Sequence, residues 1–265
     1  MSSYFNRLKW RFGRKLYAQA RGECVNDPEG NGEYWLLEKV VSNSTSGDVF
    51  LDVGANKGEW TAKALVIAER SKVIIKLFPF EPSPSTRALL SDRFEQNSEV
   101  AVQSCALSSE IGRLKFYSNG IGSGTNSLSD VSGIVEAEVD VSTLDIFAAD
   151  KDIFKIKMLK IDTEGFDFNV IQGAAKYLSE GAIEVIQFEY NWRWLINHYC
   201  LRDVFLFIKD KPYVFGKLAG KEILLFKEWH FELDRFFENN YVLLHKESKL
   251  LSNAVHATFD ESNAY

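Results

Sequence analysis

The sequence predicts an α/β fold, a mostly parallel sheet with helices on both faces. Three observations carry this expectation. Short apolar runs alternate with stretches of helical periodicity, the pattern of successive β-α-β units. Four of the runs end on acidic or polar side chains: Asp52, Glu81, Asp162 with Glu164, and Glu189 with Asn191. The first run also breaks into a loop holding Gly54 and Gly58 before a helical pattern begins. At 265 residues and 46% hydrophobic, the chain can bury one large core.

The elements follow in order. Residues 1–22 hold Arg7, Lys9, Arg11, Arg14, Lys15 and Arg21 and no acidic residue, which leaves −12 of the net −6 on the remainder. Phe5, Leu8, Phe12 and Leu16 recur at helical spacing, with Trp10 and Tyr17 nearby, so a short basic amphipathic helix is expected. Such a helix can rest on anionic lipid, grip an acidic partner, or pack on the domain's own acidic surface. Residues 33–43 read as a helix, 44–47 as a polar turn, and the run ending at Asp52 as the first strand. A helix covers about Glu59 to Glu69, and a second strand covers Val73 to Phe80. That strand stops at Glu81-Pro82-Ser83-Pro84, where proline limits pairing and Ser85 can cap the helix reaching Phe94. Val100 to Leu107 makes a third strand.

Residues 108–145 carry short alternating segments around a loop, 119–130, rich in Gly, Ser and Asn. They read as a β-rich insertion, the loop as a solvated connection in preference to a lid. The α/β pattern resumes with a strand at Met158 to Asp162, a helix at Phe166 to Leu178 and a strand at Ile183 to Tyr190. A helix at Arg202 to Asp210, a strand pair at Tyr213 to Phe226 turning at Ala219-Gly220, a helix at Glu228 to Phe237 and a strand at Tyr241 to His245 complete the domain. The chain thus divides into a basic N-terminal segment (1–32), one domain (33–250) and a loosely ordered tail (251–265).

Several classes are disfavoured. The longest apolar runs fall far short of the roughly 20 residues of a membrane span, and the N-terminus lacks the apolar core of a secretory signal, so a cytoplasmic setting is expected. Cys24, Cys105 and Cys200 are too widely spaced for a C-x-x-C metal site. The acidic body would repel phosphates, which argues against a nucleic-acid partner.

In an open α/β sheet the ligand sits beyond the carboxyl ends of the strands. Glycine lets the backbone of the Asp52–Gly58 loop approach a ligand, and the following helix aims free N–H groups at it. The loop offers G-x-x-x-G and not the G-x-G-x-x-G of dinucleotide sites. Glu81 lies 27 residues after Gly54, against roughly 20 in that fingerprint. At the end of its strand a carboxylate can accept both hydroxyl hydrogens of a ribose, and acidic strand ends attract a cationic cofactor where they would repel a pyrophosphate.

The Asp52-Val-Gly-Ala-Asn-Lys-Gly58 loop, Phe80-Glu81-Pro82, Thr143-Leu144-Asp145, and Leu159-Lys-Ile-Asp162-Thr-Glu-Gly165 followed by Gly173-Ala174 resemble the FkbM family of S-adenosylmethionine-dependent methyltransferases. The resemblance spans about residues 33–245 and implies a Rossmann-like class I methyltransferase: a seven-stranded, mostly parallel sheet with its last strand antiparallel, and methyl transfer to a hydroxyl. It implies that Asp52, Gly54, Ala55, Asn56, Gly58, Glu81, Pro82, Ser83 and Ala106 form the cofactor site, with Glu81 on the ribose and Ala106 beside adenine.

For an alcohol acceptor, a base helps once methyl and oxygen are aligned. Asp162 is the first choice; Glu164 and Glu189 should converge near it, and His198 is the runner-up. In a second arrangement Asp162, Glu189 and Asn191 hold a magnesium or calcium ion that lowers the acceptor's pKa. Glu164, Asn191 and Trp192 are the substrate candidates, and Tyr190, Trp192 and Trp194 could stack on a sugar or close the hydrophobic edge of the domain. Asp167 reads as a helix-start charge. The expected acceptor is a hydroxyl of a sugar, glycan, glycolipid or secondary metabolite, because no Asn/Asp-Pro-Pro-Tyr/Phe signature of amino-group methylation follows the Asp162 strand. A nicotinamide oxidoreductase and an inactive cofactor-binding scaffold are the alternatives.

Overall fold

The computed structural model describes residues 4–23, 26–123, 127–128 and 134–259. The chain opens with α1 (Tyr4–Ala20) and α2 (Glu33–Ser42), then β1 (Val49–Val53), α3 (Glu59–Ser71), β2 (Lys76–Phe80) and α4 (Pro84–Phe94). Strands β3 (Ala106–Leu107), β4 (Gly112–Ser118) and β5 (Ile134–Ser142) form the insertion, followed by α5 (Leu144–Asp150), β6 (Ile156–Ile161), α6 (Asp167–Gln172), α7 (Ala175–Ser179) and β7 (Ile183–Tyr190). A 3-10 turn (Trp192–Asn197) leads to α8 (Leu201–Ile208), β8 (Tyr213–Ala219), β9 (Glu222–Phe226), β10 (Asn239–His245) and β11 (Ala254–His256).

The main sheet has the order β11-β9-β8-β10-β7-β6-β1-β2. β2, β1, β6 and β7 run parallel, and β10 enters antiparallel between β7 and β8. Eight strands replace the expected seven, because β9 and β11 extend the edge beyond β8. The parallel strands are buried on both faces, as continuous apolar runs require. Leu36 and Val40 of α2 with Trp60 and Ala64 of α3 cover one face; Leu144, Phe147, Phe168, Leu178 and Val204 cover the other.

Other departures from expectation have local causes. The third strand reduces to single parallel bridges, Leu77 to Val100 and Phe80 to Gln103, and its end, β3, pairs instead with β5 in a separate three-stranded sheet. Ser83, not Ser85, caps α4, accepting from the Thr86 N–H. The helix after Asp162 breaks into α6 and α7 at Gly173, where a Cβ would lie 2.0 Å from the Ser108 carbonyl oxygen. No helix forms over 228–237. Asp234 draws that segment inward, accepting from the Trp229 indole at 2.5 Å, the Tyr190 hydroxyl at 2.7 Å and the Leu201 N–H at 2.7 Å. Residues 254–256, expected in a loose tail, form the β11 edge strand; 260–265 lie outside the described residues. Among the described residues no helix is long and apolar enough to cross a membrane.

Candidate active site

β1 turns sharply at Gly54, whose φ is +84°. A Cβ there would lie 1.8 Å from the Asp162 carbonyl oxygen, so only glycine lets this loop press against the end of β6. Asn56 also takes a left-handed conformation, and its N–H donates to Glu81 Oε2 at 3.0 Å. The Ser83 N–H donates to Oε1 at 2.9 Å. Glu81 therefore clamps the ends of β1 and β2 together, with spare lone pairs on both oxygens. Burial pushes its pKa up to about 7, against the pull of those two N–H groups.

A cavity of about 360 Å³ opens over these strand ends. Its cofactor-side wall includes Gly54, Ala55, Asn56, Glu81, Pro82 and Ala106, and its far side Asp162, Glu164 and Glu189. Asp52, Gly58 and Ser83, expected in the cofactor site, stand behind that wall. Asp52 is fully buried and accepts from the Thr61 hydroxyl at 2.8 Å. Gly58 starts α3 where a Cβ would strike Phe94 and Leu90. Ser83 caps α4 and donates to the Glu136 carboxylate of β5 at 2.8 Å, tying the insertion to the core domain.

The far side is built from charges. Lys160, on β6 and 5% exposed, sits 3.2 Å from Asp162 Oδ2 and 3.4 Å from Asp52 Oδ1. Burial opposes its charge, but Asp162, Asp52 and Glu33 outweigh that and hold its pKa well above the usual lysine value. Glu33, at the start of α2, also lines the cavity; burial lifts it to about 7 despite Lys160. Burial and the Asp162 charge lift Glu164 to about 8 and Glu189 well above the carboxylate range. Asp167 has a more specific job than a helix-start charge, accepting from the Thr163 and Gly165 N–H groups at 3.4 and 3.2 Å and bracing the loop that carries Glu164.

Three expected site residues lie away from the cavity lining. The Asn191 amide donates to Glu189 at 2.7 Å while its oxygen accepts from the Arg193 N–H, so it orients Glu189 and is not a free ligand. Trp192 is half-exposed beneath the Arg193 guanidinium. His198 ends the 3-10 turn in a left-handed conformation. Tyr190 and Trp194 are core residues.

Asp162, Glu164 and Glu189 each place an oxygen within 4.8 Å of the others. This set fits a divalent ion poorly, because Lys160 already neutralises Asp162 and Arg193 pairs with Glu164 at 2.8 Å. The cavity fits S-adenosylmethionine better. Asn56 Oδ1, Trp60 Nε1 and Thr163 Oγ1 are buried without hydrogen-bond partners, all on cavity-lining residues, and await polar groups.

Sequence reasoning missed Glu33, Lys160, Trp60 and Phe116 in the lining. Lys160 left a signal: a lysine inside a central strand covered on both faces has no solvent side, so its charge must meet a partner. The 119–130 loop reads differently too. Gly122 donates to Thr86 Oγ1 at 3.0 Å and accepts from the Asn56 side chain at 3.4 Å, while Ser127 donates to the Glu164 carbonyl at 3.0 Å. Its described residues cover the cavity; 124–126 and 129–130 lie outside the described residues.

A loop-to-carboxylate clamp at the β1 and β2 ends, beside a covered cavity on a parallel sheet, defines an α/β enzyme of the methyltransferase class. The methyltransferase FkbM domain matches residues 52–215, more than half of the chain, and the chain belongs to that family. No curated protein matches it. Among solved structures it is similar to an FkbM methyltransferase from Methylobacillus flagellatus KT, with 17% identity, TM-score 0.47, and 76% of this chain and 44% of that one covered. The chain therefore spans under half the length of that protein. It is also similar to the N-methyltransferase NodS from Bradyrhizobium japonicum WM9 (9% identity, TM-score 0.41, 84% and 99% covered). An rRNA methylase from Streptococcus thermophilus is a further match (9% identity, TM-score 0.41, 79% and 94% covered). That last match corrects the exclusion of nucleic acid as a partner. Net charge alone does not decide it, because a locally basic segment acts through its own field.

Proposed function

We propose that the chain is an O-methyltransferase acting on a hydroxyl of a sugar, glycan or related secondary metabolite. The observation that carries this reading is Asp162, open to the cavity across from the Glu81 clamp and held by the Lys160 ammonium. S-adenosylmethionine, when bound, supplies a methyl group on a cationic sulfur. Glu81 would hold the ribose hydroxyls, and Asn56, Trp60 and Thr163 would satisfy their orphaned atoms on its polar groups. Asp162 accepts the acceptor hydroxyl's proton, and Glu189, which burial and the Asp162 charge keep protonated, donates a hydrogen bond to a further hydroxyl, while Glu164 stays paired with Arg193. His198, Asn191 and Trp192 take no direct part.

Because Asp162 and Glu164 already have cationic partners, transfer on this reading needs no divalent ion. We further infer a cytoplasmic setting with peripheral contact to a membrane surface. The test is transfer of labelled methyl to a panel of glycan and polyketide alcohols, with magnesium or with chelator. Equal labelling in both arms is expected; labelling that needs magnesium would reinstate the metal, and no binding of cofactor by calorimetry would sink the reading.

A further inference from the structure

The 17 residues of α1 bury none of their side chains, yet the helix is firmly attached at one end. Tyr17 donates to Glu232, Arg21 pairs with Glu232 at 2.8 Å and with Glu23 at 3.0 Å, and Lys217 pairs with Glu23 at 2.8 Å. Arg14 lies over the Phe237 ring. At about 100° per residue, Tyr17 and Arg14 project from one side of the helix, toward the domain, and Trp10, itself 64% exposed, lies on the same side. Phe5, Leu8, Phe12 and Leu16 fall within roughly 80° on the opposite side, between 44% and 71% exposed. The domain therefore holds the helix by the face that is not its apolar stripe.

The chemistry of that free face selects its occupant. Lys15 and Lys9 flank the stripe on either edge, Arg11 and Arg7 follow, and residues 4–20 contain no acidic side chain. Long basic side chains bracketing an aromatic and aliphatic stripe suit an interface where apolar groups enter acyl chains and the cations reach phosphate headgroups. A nucleic acid would reward the cations but leave four large apolar side chains in water. We propose that α1 docks through Phe5, Leu8, Phe12 and Leu16 on an anionic lipid surface.

The docked helix would also orient the enzyme. Asn26 and Pro28, six and eight residues beyond α1, line the cavity, and Asn26 is tied to Glu238. Part of the cavity lining thus follows the root of the anchored helix, suited to an acceptor carried by lipid. Docking stands independently of the chemistry; only this use of it rests on the O-methyltransferase reading.

Flotation of the full chain with phosphatidylcholine vesicles, with and without phosphatidylglycerol, at near-physiological salt tests it. Retention on the anionic vesicles is expected, at least about tenfold weaker on neutral ones and for Phe5→Ser/Phe12→Ser, and weakened for Arg11→Gln/Lys15→Gln. Calorimetry on the same variants should show unchanged cofactor binding, which separates a failed anchor from a failed enzyme. Absence of vesicle binding, or binding indifferent to Phe5 and Phe12, would overturn the proposal. So would a dimer that the serine variant dissolves, or binding to a short single-stranded RNA in place of vesicles.

Discussion

The two ends of the cavity are made of different materials. At the cofactor end the contacts are backbone: glycine at 54, a left-handed Asn56, and one carboxylate clamped by two N–H groups. At the acceptor end they are side chains, with Lys160, Asp162, Glu33, Glu164 and Glu189 crowded into one charge set. Backbone contacts fix one ligand geometry. Clustered polar side chains instead rotate, so the second end can adjust its hydrogen bonding to what enters. A fixed end facing an adaptable one suits the proposed transfer.

Breaking the acceptor end should have the largest effect on rate. Asp162→Asn should lower turnover by about 10²- to 10⁴-fold while cofactor affinity measured by calorimetry stays near wild type. A parallel fall in both would move Asp162 to the cofactor side and dissolve the contrast.

The next effect is on stability. Lys160→Met leaves Asp52 and Asp162 without their cation, which should cost about 3–5 kcal/mol in urea unfolding. The deficit should shrink as the solution is acidified, because the fully buried Asp52 then takes up a proton in the folded state. A deficit independent of pH would mean that Lys160 matters for packing and not for charge.

The smallest effect sharpens the cofactor end. Glu81→Ala removes the acceptors for two ribose hydroxyls and should weaken cofactor binding by about 10- to 100-fold. In the wild type, burial lifts Glu81 to about 7, and on the proposed reading its ionised form would accept both hydroxyl hydrogens. Affinity should therefore climb as pH rises through 7, and binding below pH 7 should release a proton, read as buffer-dependent heat. Loss of that proton in Glu81→Ala assigns it; its persistence would shift the titration to the acceptor end.

The cofactor end was the more legible in sequence for the same reason. Gly54, Asn56 and Glu81 stand at breaks in apolar runs, where a short window carries the signal. The charge set draws Glu33 from the start of α2 and Lys160 from inside a strand, where the register of β6 beside β1 sets it against Asp52. The motifs Thr143-Leu144-Asp145 and Gly173-Ala174 proved to be a joint: Asp145 accepts from the Lys176 and Tyr177 N–H groups at 2.9 and 3.2 Å, and its own N–H donates to Gly173. The expected helix at 228–237 failed because its periodicity was local, whereas two of the three bonds to Asp234, from Tyr190 and Leu201, are tertiary.

The close packing of Gly54 on the Asp162 carbonyl means that the loop after β1 and the end of β6 move as one rigid piece. A change of acceptor cannot be accommodated by sliding one against the other, since no room exists for even a methyl group between them. A different acceptor would instead have to be met at the borders of the cavity, the insertion strands and the segment after α1, with the distance between the two strand ends held constant.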